Sequence, residues 1–443
     1  MIDRFLAEYL RHANGAAMRL EPLPEGFSLP PSDPERRYLL YVHVPFCPSL
    51  CPFCSFHRVA FRDDKARRYF AALRTQVRQY AEAGFRLSGV YVGGGTPTVV
   101  PDELERTLEL INELFGRQSF SVETNPSDLT PPVIDMLQRA GVARLSVGVQ
   151  SFDDGLLRAM GRYAKYGSAA TIREHLAAVA DAFPTLNIDM IFNLPGQTRT
   201  LLERDLDILA GELRVQQVSF YPLMVAGSTR LAMRERMGGY GANREREYYR
   251  LIQQRLATDY RATSAWCFSR GAAAIDEYIV TDDEYIGAGS GAFGYYKGLL
   301  YANTFSLNRY AQLAGTGNSA VTMAREMSEL EQMRYDFLTR LFGLSLDKAS
   351  LERKYGGRFE LRLWPEIAFF RAVGALRDAG PRLELTERGR YYWVVMMREF
   401  FTGVNRFREQ MRLNIRRELG ILPTDFATPA PAHEPALRYG APH

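Results

Sequence analysis

The stretch Tyr41–Phe56, YVHVPFCPSLCPFCSF, constrains this chain more than any other. Cys47, Cys51 and Cys54 stand in a C-x3-C-x2-C array directly after the short apolar run Leu39–Val44. Three thiolates on one tight loop can bind three irons of a [4Fe–4S] cluster and leave the fourth without a protein ligand. An open coordination position is what a catalytic metal needs. The alternatives are a zinc site or unrelated buried thiols. Zinc would usually show two ligand pairs, and no second CxxC or HxxxH follows.

The remainder of the chain supplies a scaffold for such a loop. Short apolar runs recur at Leu39–Val44, Gly89–Val92, Ser119–Glu123, Arg144–Gln150, Asn187–Phe192 and Gln217–Leu223. Amphipathic stretches such as Asp64–Ala83, Asp102–Leu114 and Pro132–Ala140 lie between them. Strands separated by helices predict parallel βα units, and six units predict a partial (β/α)6 barrel within an α/β fold. Chemistry in such folds sits at the C-terminal ends of the strands.

The residues that carry chemical signals fall at those ends. Gly93-Gly94-Gly95-Thr96-Pro97-Thr98 follows the second run. Glycines there let backbone approach a ligand, and the freed N–H groups can bind an anion, although glycine also serves ordinary tight turns. Glu123 ends the third run and can accept from ribose hydroxyls or an amine; a solvated strand-end acid is the plainer alternative. Gln150 ends the fourth run. Asp189, between Ile188 and Met190, is a candidate inward-facing carboxylate, which needs partners if buried. Arg162, after Gly161, can pair with a carboxylate in bidentate fashion or be a surface arginine.

Beyond about residue 230 the pattern changes. Met233–Asp259 predicts one long charged helix. Thr263–Phe305 is rich in Gly and Tyr and has little periodicity. Glu326–Gly343 and Trp364–Ala379 predict helices, and Arg382–Arg390 a short β-wing. The expected division is an N-terminal helix and arm at 1–37, the partial barrel at 38–230, and a linker helix with a substrate-covering segment at 231–320. A mostly helical, winged-helix-like domain at 321–422 and a disordered Pro/Ala-rich tail at 423–443 complete it.

Composition narrows the function. The 443 residues carry a net charge of +4 with both signs interspersed. Nucleic acid usually asks for a clustered basic face, so no nucleic-acid partner is expected. No apolar run reaches the roughly 18 residues of a spanning helix, and the charged N-terminus reads as an amphipathic helix, not a signal peptide. Four cysteines, three of them in one loop, point to a reducing cytoplasm.

Taken together, YVHVPFC-x3-C-x2-C, GGGTPT, ETNP, SVGVQSF, NIDMIFNLPGQT and YIGAGSGAFGYYKGLLYANT resemble the radical S-adenosylmethionine (SAM) superfamily. Within it they resemble the branch of oxygen-independent coproporphyrinogen III oxidase. The resemblance implies a [4Fe–4S] cluster on Cys47, Cys51 and Cys54, two SAM molecules, and an electron donor such as flavodoxin or ferredoxin. Tyr41, Gly94 and Glu123 match contacts of the first SAM. Phe53, Ser55, Gly95, Thr96, Gln150, Arg162 and Asp189 match contacts of the second. The decarboxylase pattern carries a fourth cysteine where this chain has Phe56, which argues against decarboxylation. Haem chaperones, haem-degrading methyltransferases and the class C radical SAM methyltransferases share that departure, and AWCFSR with GSGAFGYY is similar to menaquinone C-methyltransferases. The resemblance therefore implies methylation of an sp2 ring carbon of menaquinone. The alternatives are a haem- or porphyrin-directed methyltransferase and a non-enzymatic haem chaperone.

The expected substrate is aromatic, either lipid-tailed or a porphyrin. Cys267 is a candidate acid or hydrogen donor, or a buried small hydrophobe. Arg270, Tyr278, Tyr285, Tyr295 and Tyr296 are candidate pocket residues. The aromatic run from Trp364 to Phe401 with its basic flank reads either as core or as an interfacial helix in peripheral contact with the inner face of the membrane.

Overall fold

In the computed structural model of the chain, residues 19–24, 26–239, 244–271, 282 and 284–418 are described, apart from the side chains at 414 and 416–418. The expected N-terminal helix, Tyr278 and the expected tail lie outside the described residues.

Six parallel strands are built from the six apolar runs: β1 (Tyr38–Val44), β2 (Leu87–Gly94), β3 (Phe120–Thr124), β4 (Val142–Gln150), β5 (Thr185–Phe192) and β6 (Gln217–Pro222). They pair in that order. All seven residues of β1 are buried, as expected of a parallel strand covered on both faces. Helices Asp63–Glu82, Pro101–Phe115 and Pro131–Ala140 form the crossovers. Proline at the start of the second and third costs no hydrogen bond there. The result is a mixed α/β sheet that does not close into a barrel.

The segment expected to link and cover contributes to this sheet. Tyr285–Ala288 pairs in parallel with β1, and Phe293–Tyr296, Leu299–Asn303 and Val321–Glu326 continue it as an antiparallel meander. On the far side Cys267–Ser269 pairs antiparallel with β6. Four-residue strands carry too few positions for periodicity to register, so they were not legible as strands.

Two helices also differ from expectation. The single helix over Met233–Asp259 is two, Gly227–Met237 and Glu245–Leu256. Gly238, at φ +92, ends the first in a conformation that only glycine takes without strain. The helix over Trp364–Ala379 stops at Ala372, and Leu376–Ala379 is a strand paired with Arg382–Leu385.

The C-terminal region is a helix, Glu329–Phe342, opened by a Ser328/Glu331 capping box, followed by a winged-helix arrangement. Its three short strands pair in the order 345–347, 382–385, 376–379. The last helix, Glu387–Glu418, runs for 32 residues. Its apolar part is not an interfacial face: Tyr391 through Met397 are all buried, Trp393 completely. The core satisfies that run, while Trp364, where the aromatic stretch begins, and Leu413, further along the last helix, are exposed. No helix among the described residues is long and apolar enough to cross a membrane.

One buried acid stands apart from the rest. Asp205 accepts from the Phe152 N–H (2.7 Å) and the Ser151 hydroxyl (3.0 Å) just beyond β4. Burial pushes its carboxyl up to about 7. The folded chain therefore holds this proton to higher pH than the unfolded chain does. The group's contribution to stability is full below about pH 4 and is lost as the pH rises toward 7, with a slope of at most about 1.4 kcal/mol per unit. Asp205→Asn is expected to flatten this part of a plot of thermal midpoint against pH. An unchanged slope would mean that Asp205 titrates normally.

Candidate functional site

The C-terminal ends of the six strands open into one cavity of about 320 Å³. Cys47, Cys51 and Cys54 line one end of it, and none of the three is in a disulfide. The loop that carries them is held by its carbonyls. Arg58 donates to the carbonyl oxygens of Cys51 (2.7 Å) and Cys54 (3.1 Å). Arg412, on the last helix, donates to those of Ser55 (3.0 Å) and Phe56 (2.6 Å).

The thiols sit in a cationic setting. Lys165 Nζ lies 3.5 Å and an Arg162 nitrogen 3.8 Å from Cys51 Sγ. Burial opposes ionisation of Cys51, yet Arg162, Lys165 and Arg58 together hold its thiol below the ordinary value. Burial and the neighbouring Cys54 push Cys47 up to about 11. Among the described residues, no three His, Cys, Asp or Glu side chains converge on a point that one metal ion would take. A cluster asks for something different, one thiolate for each of three irons, with cations to offset the added negative charge. The donor set and its surroundings fit a [4Fe–4S] cluster.

The glycine turn packs against this loop without room for a side chain. A Cβ on Gly95 would lie 2.6 Å from the carbonyl oxygen of Phe46. A Cβ on Gly94, which has φ +117, would lie 2.6 Å from the His43 ring. Its bare backbone donates instead: the Gly94 N–H reaches Glu123 Oε2 at 3.0 Å, and the Tyr91 hydroxyl donates to Glu123 Oε1 at 2.8 Å.

A buried hydrogen-bond chain fixes Tyr41. His43 Nε2 lies 2.8 Å from the carbonyl oxygen of His57, which can only accept, so the ring proton sits on Nε2. Burial lowers His43 to about 4, which keeps it neutral. Nδ1 is then an acceptor, and the Tyr41 hydroxyl donates to it at 2.9 Å. Tyr41 consequently turns lone pairs, not its proton, toward the cavity.

On the opposite wall Arg162 is buried and donates to Asn125 Oδ1 (3.3 Å) and to the carbonyl of Gly148. Its Nε is buried with no hydrogen-bond partner. Asp189 accepts from Ser146 (2.9 Å) and Asn187 (2.7 Å), which are the partners that a carboxylate inside a sheet requires. Gln150 has φ +81, an uncommon conformation away from glycine, at the point where β4 meets the cavity.

All ten residues singled out in the sequence for SAM, Tyr41, Phe53, Ser55, Gly94, Gly95, Thr96, Glu123, Gln150, Arg162 and Asp189, line this one cavity. Cys267 does not. It is fully buried in the strand beside β6, and its neighbour Trp266 takes the place on the cavity wall. Of the expected pocket aromatics, Tyr285 lines the cavity. Tyr296 instead packs edge-on against Tyr38, Tyr295 lies behind Tyr335, and Arg270 covers Tyr260 outside the site. The sequence reading missed Trp266, Tyr335, Phe400, Phe401, Asn405 and Arg408 on the wall. The last four share one face of a helix at i, i+1, i+5 and i+8, a spacing that looks the same for a core face and a cavity wall.

Residues 41–209 match the Radical SAM superfamily. The chain is 28% identical over 368 residues to the heme chaperone HemW of Bacillus subtilis, covering 79% of this chain and 95% of that one. It is 28% identical over 317 residues to the oxygen-independent coproporphyrinogen III oxidase of Escherichia coli, covering 68% of this chain and 65% of the oxidase. The solved structure of coproporphyrinogen III oxidase from Escherichia coli superposes with a TM-score of 0.67 at 23% identity, over 83% of this chain and 91% of the other. None of these relatives is a quinone methyltransferase, so the menaquinone expectation gains no support from them, nor does a second SAM.

Proposed function

We propose that this chain, whose residues 41–209 match the Radical SAM superfamily and which is similar to heme chaperones and coproporphyrinogen oxidase, is a SAM-cleaving iron–sulfur enzyme whose substrate is a large conjugated ring of the heme or porphyrin class. One observation carries the reading: the three cysteines, the ten candidate SAM residues and an aromatic chamber line the same cavity. When bound, the reduced cluster and SAM supply one-electron chemistry able to activate an unreactive C–H bond.

The roles of the chain's own residues follow from their bonds. Cys47, Cys51 and Cys54 hold the cluster. Glu123, pinned by Gly94 and Tyr91, keeps lone pairs for an amine or ribose hydroxyl. Tyr41 accepts from a ligand N–H, because its own proton is committed to His43. Arg162 takes an acidic group, while Trp266, Phe400 and Phe401 exclude water from the reacting centre.

A second reading, transfer of a methyl group to a menaquinone ring, is favoured by Gln150, Arg162 and Asp189, which line the cavity together and would receive a second SAM. A haem chaperone that no longer turns over is the third. The reconstituted protein, reduced with dithionite or flavodoxin, separates them. The proposal expects 5′-deoxyadenosine formation that rises on adding heme or a porphyrin. Stimulation by unmethylated menaquinone instead, with S-adenosylhomocysteine and added methyl mass on the quinone, would replace it with the second reading. Stoichiometric heme binding without SAM cleavage would leave the chaperone.

A further inference from the structure

We infer that the outer face of the cysteine loop is the docking site of a small acidic protein that delivers electrons one at a time. The inference rests on the proposed reading of the loop as a cluster site, and it names the partner which that reading requires.

The need for a partner follows from the chain's own inventory. The sequence holds four cysteines. Three lie on the loop, and Cys267 is fully buried in the strand beside β6. One cysteine cannot hold a second iron–sulfur centre, so the electron for each round of one-electron chemistry comes from another molecule. That molecule is oxidised by one electron and the loaded loop is reduced by one. No bond or proton passes between the two proteins.

The face is built where three elements meet. The helix Gly227–Met237 bridges two of them. At its start the Ser228 N–H donates to Glu409 Oε1 on the last helix at 2.6 Å. At its end Arg236 and Pro52, a residue of the cysteine loop, converge on Gly161: a Cβ there would lie 3.7 Å from an Arg236 nitrogen and 3.9 Å from Pro52 Cδ. The last helix meets the loop through Arg412, which donates to the Ser55 and Phe56 carbonyls.

Four exposed apolar side chains lie on these elements: Leu50 (45% exposed), Phe56 (43%), Leu231 (68%) and Leu413 (77%). Leu231 stands between the two ends of the bridging helix, and Leu413 follows Arg412. Exposed apolar groups gathered at one place mark a binding surface. Leu50 precedes Cys51 directly, and Phe56 follows Cys54 by two residues, so a partner that covers them sits beside the thiols.

Charge selects the partner. Arg58 and Arg412 donate to loop carbonyls, and Lys165 donates to the Ser49 carbonyl at 3.2 Å. Bonds to neutral oxygens leave the positive charges in place. With Arg162 and the exposed Arg236, these cations outnumber the three thiolates, and Glu235 and Glu409 offset only part of the surplus. An apolar centre with a positive rim matches an acidic partner. A second copy of this chain, paired about a two-fold axis, would set like charges against each other. Four apolar side chains also make a small patch, of the kind that serves brief redox encounters better than permanent dimers.

The test uses the cluster-loaded full chain and oxidised flavodoxin, an acidic one-electron carrier, with binding read by biolayer interferometry. Wild type is expected to bind flavodoxin, more weakly as salt shortens the reach of the charges. It should not bind cytochrome c, a basic carrier. Arg236→Glu is expected to weaken flavodoxin by about tenfold, chiefly through slower association. Dithionite, which needs no docking, should still drive 5′-deoxyadenosine formation to within about twofold of wild type. Leu231→Asp, at an exposed position, is the second variant and should also weaken flavodoxin. Cluster absorption and thermal midpoint report whether each variant is folded. Unchanged flavodoxin affinity in both folded variants would overturn the inference, as would equal binding of cytochrome c. Binding to phosphatidylglycerol vesicles in place of flavodoxin, lost in Arg236→Glu, would overturn it in favour of a lipid surface. Any of these results alongside dithionite-driven SAM cleavage leaves the proposed function standing. Flavodoxin binding that both variants weaken, in a chain that cleaves no SAM under dithionite, would remove the proposed function and keep the docking surface.

Discussion

Cys51→Ala is expected to abolish the visible iron–sulfur absorption and to reduce SAM cleavage to background. The reason is local. Cys51 is the thiol beside Lys165 and Arg162, and its loop is tied by Arg58 through the carbonyls of Cys51 and Cys54. Removing one of three ligands leaves two irons without protein donors on a loop that still carries its surrounding cations. The chain should fold, because Cys51 is only partly buried and its substitution opens no large cavity. Iron content, visible absorption and 5′-deoxyadenosine yield check the outcome. Retained cleavage in Cys51→Ala would refute the ligand assignment. Cys267→Ala is the matched control. That thiol is fully buried away from the cavity wall, so the variant should keep its iron and its SAM cleavage. Loss of cleavage in a folded Cys267→Ala would restore the role that the sequence suggested for it.

The largest effect on stability is expected from Trp393→Ala, about 3–5 kcal/mol. Trp393 is completely buried on the last helix. Its ring packs 4.9 Å from Phe370 and 5.9 Å from Phe337, and its indole N–H donates to the Leu338 carbonyl at 2.9 Å. Truncation would leave a cavity and an unanswered carbonyl together. The same helix carries Phe400, Phe401, Asn405 and Arg408 to the cavity and Arg412 to the cysteine loop. Loosening it should therefore also hasten loss of the cluster in air. A chemical denaturation midpoint and the rate of bleaching measure the two effects. A small stability change with normal bleaching would show that this helix is not what holds the chamber.

The parallel strands were legible because each is a short run rich in apolar residues and bounded by turn residues. Their strand-end residues were legible for a related reason: glycine, acid and amide residues there break an otherwise apolar pattern. The aromatic wall of the cavity was not. Trp266 and Phe401 look like core in any sequence, and whether an aromatic faces a neighbour or a cavity depends on contacts between residues 135 positions apart. Cys267 misled because chemical reactivity is visible in a residue's name, whereas the direction its strand turns it is not. Its neighbour in sequence faces the site, and one residue of register reverses the face. The Gly238 break was the opposite kind of miss, a local signal outweighed by the charged periodicity around it.

The bond from Arg412 to the Ser55 and Phe56 carbonyls joins residues 357 and 356 positions apart. At about 5–20 residues per second, a ribosome that has made the cysteine loop needs roughly 20–70 s more to make the arginine that ties it down. The loop is thus among the first parts of the fold to exist and among the last to be fastened.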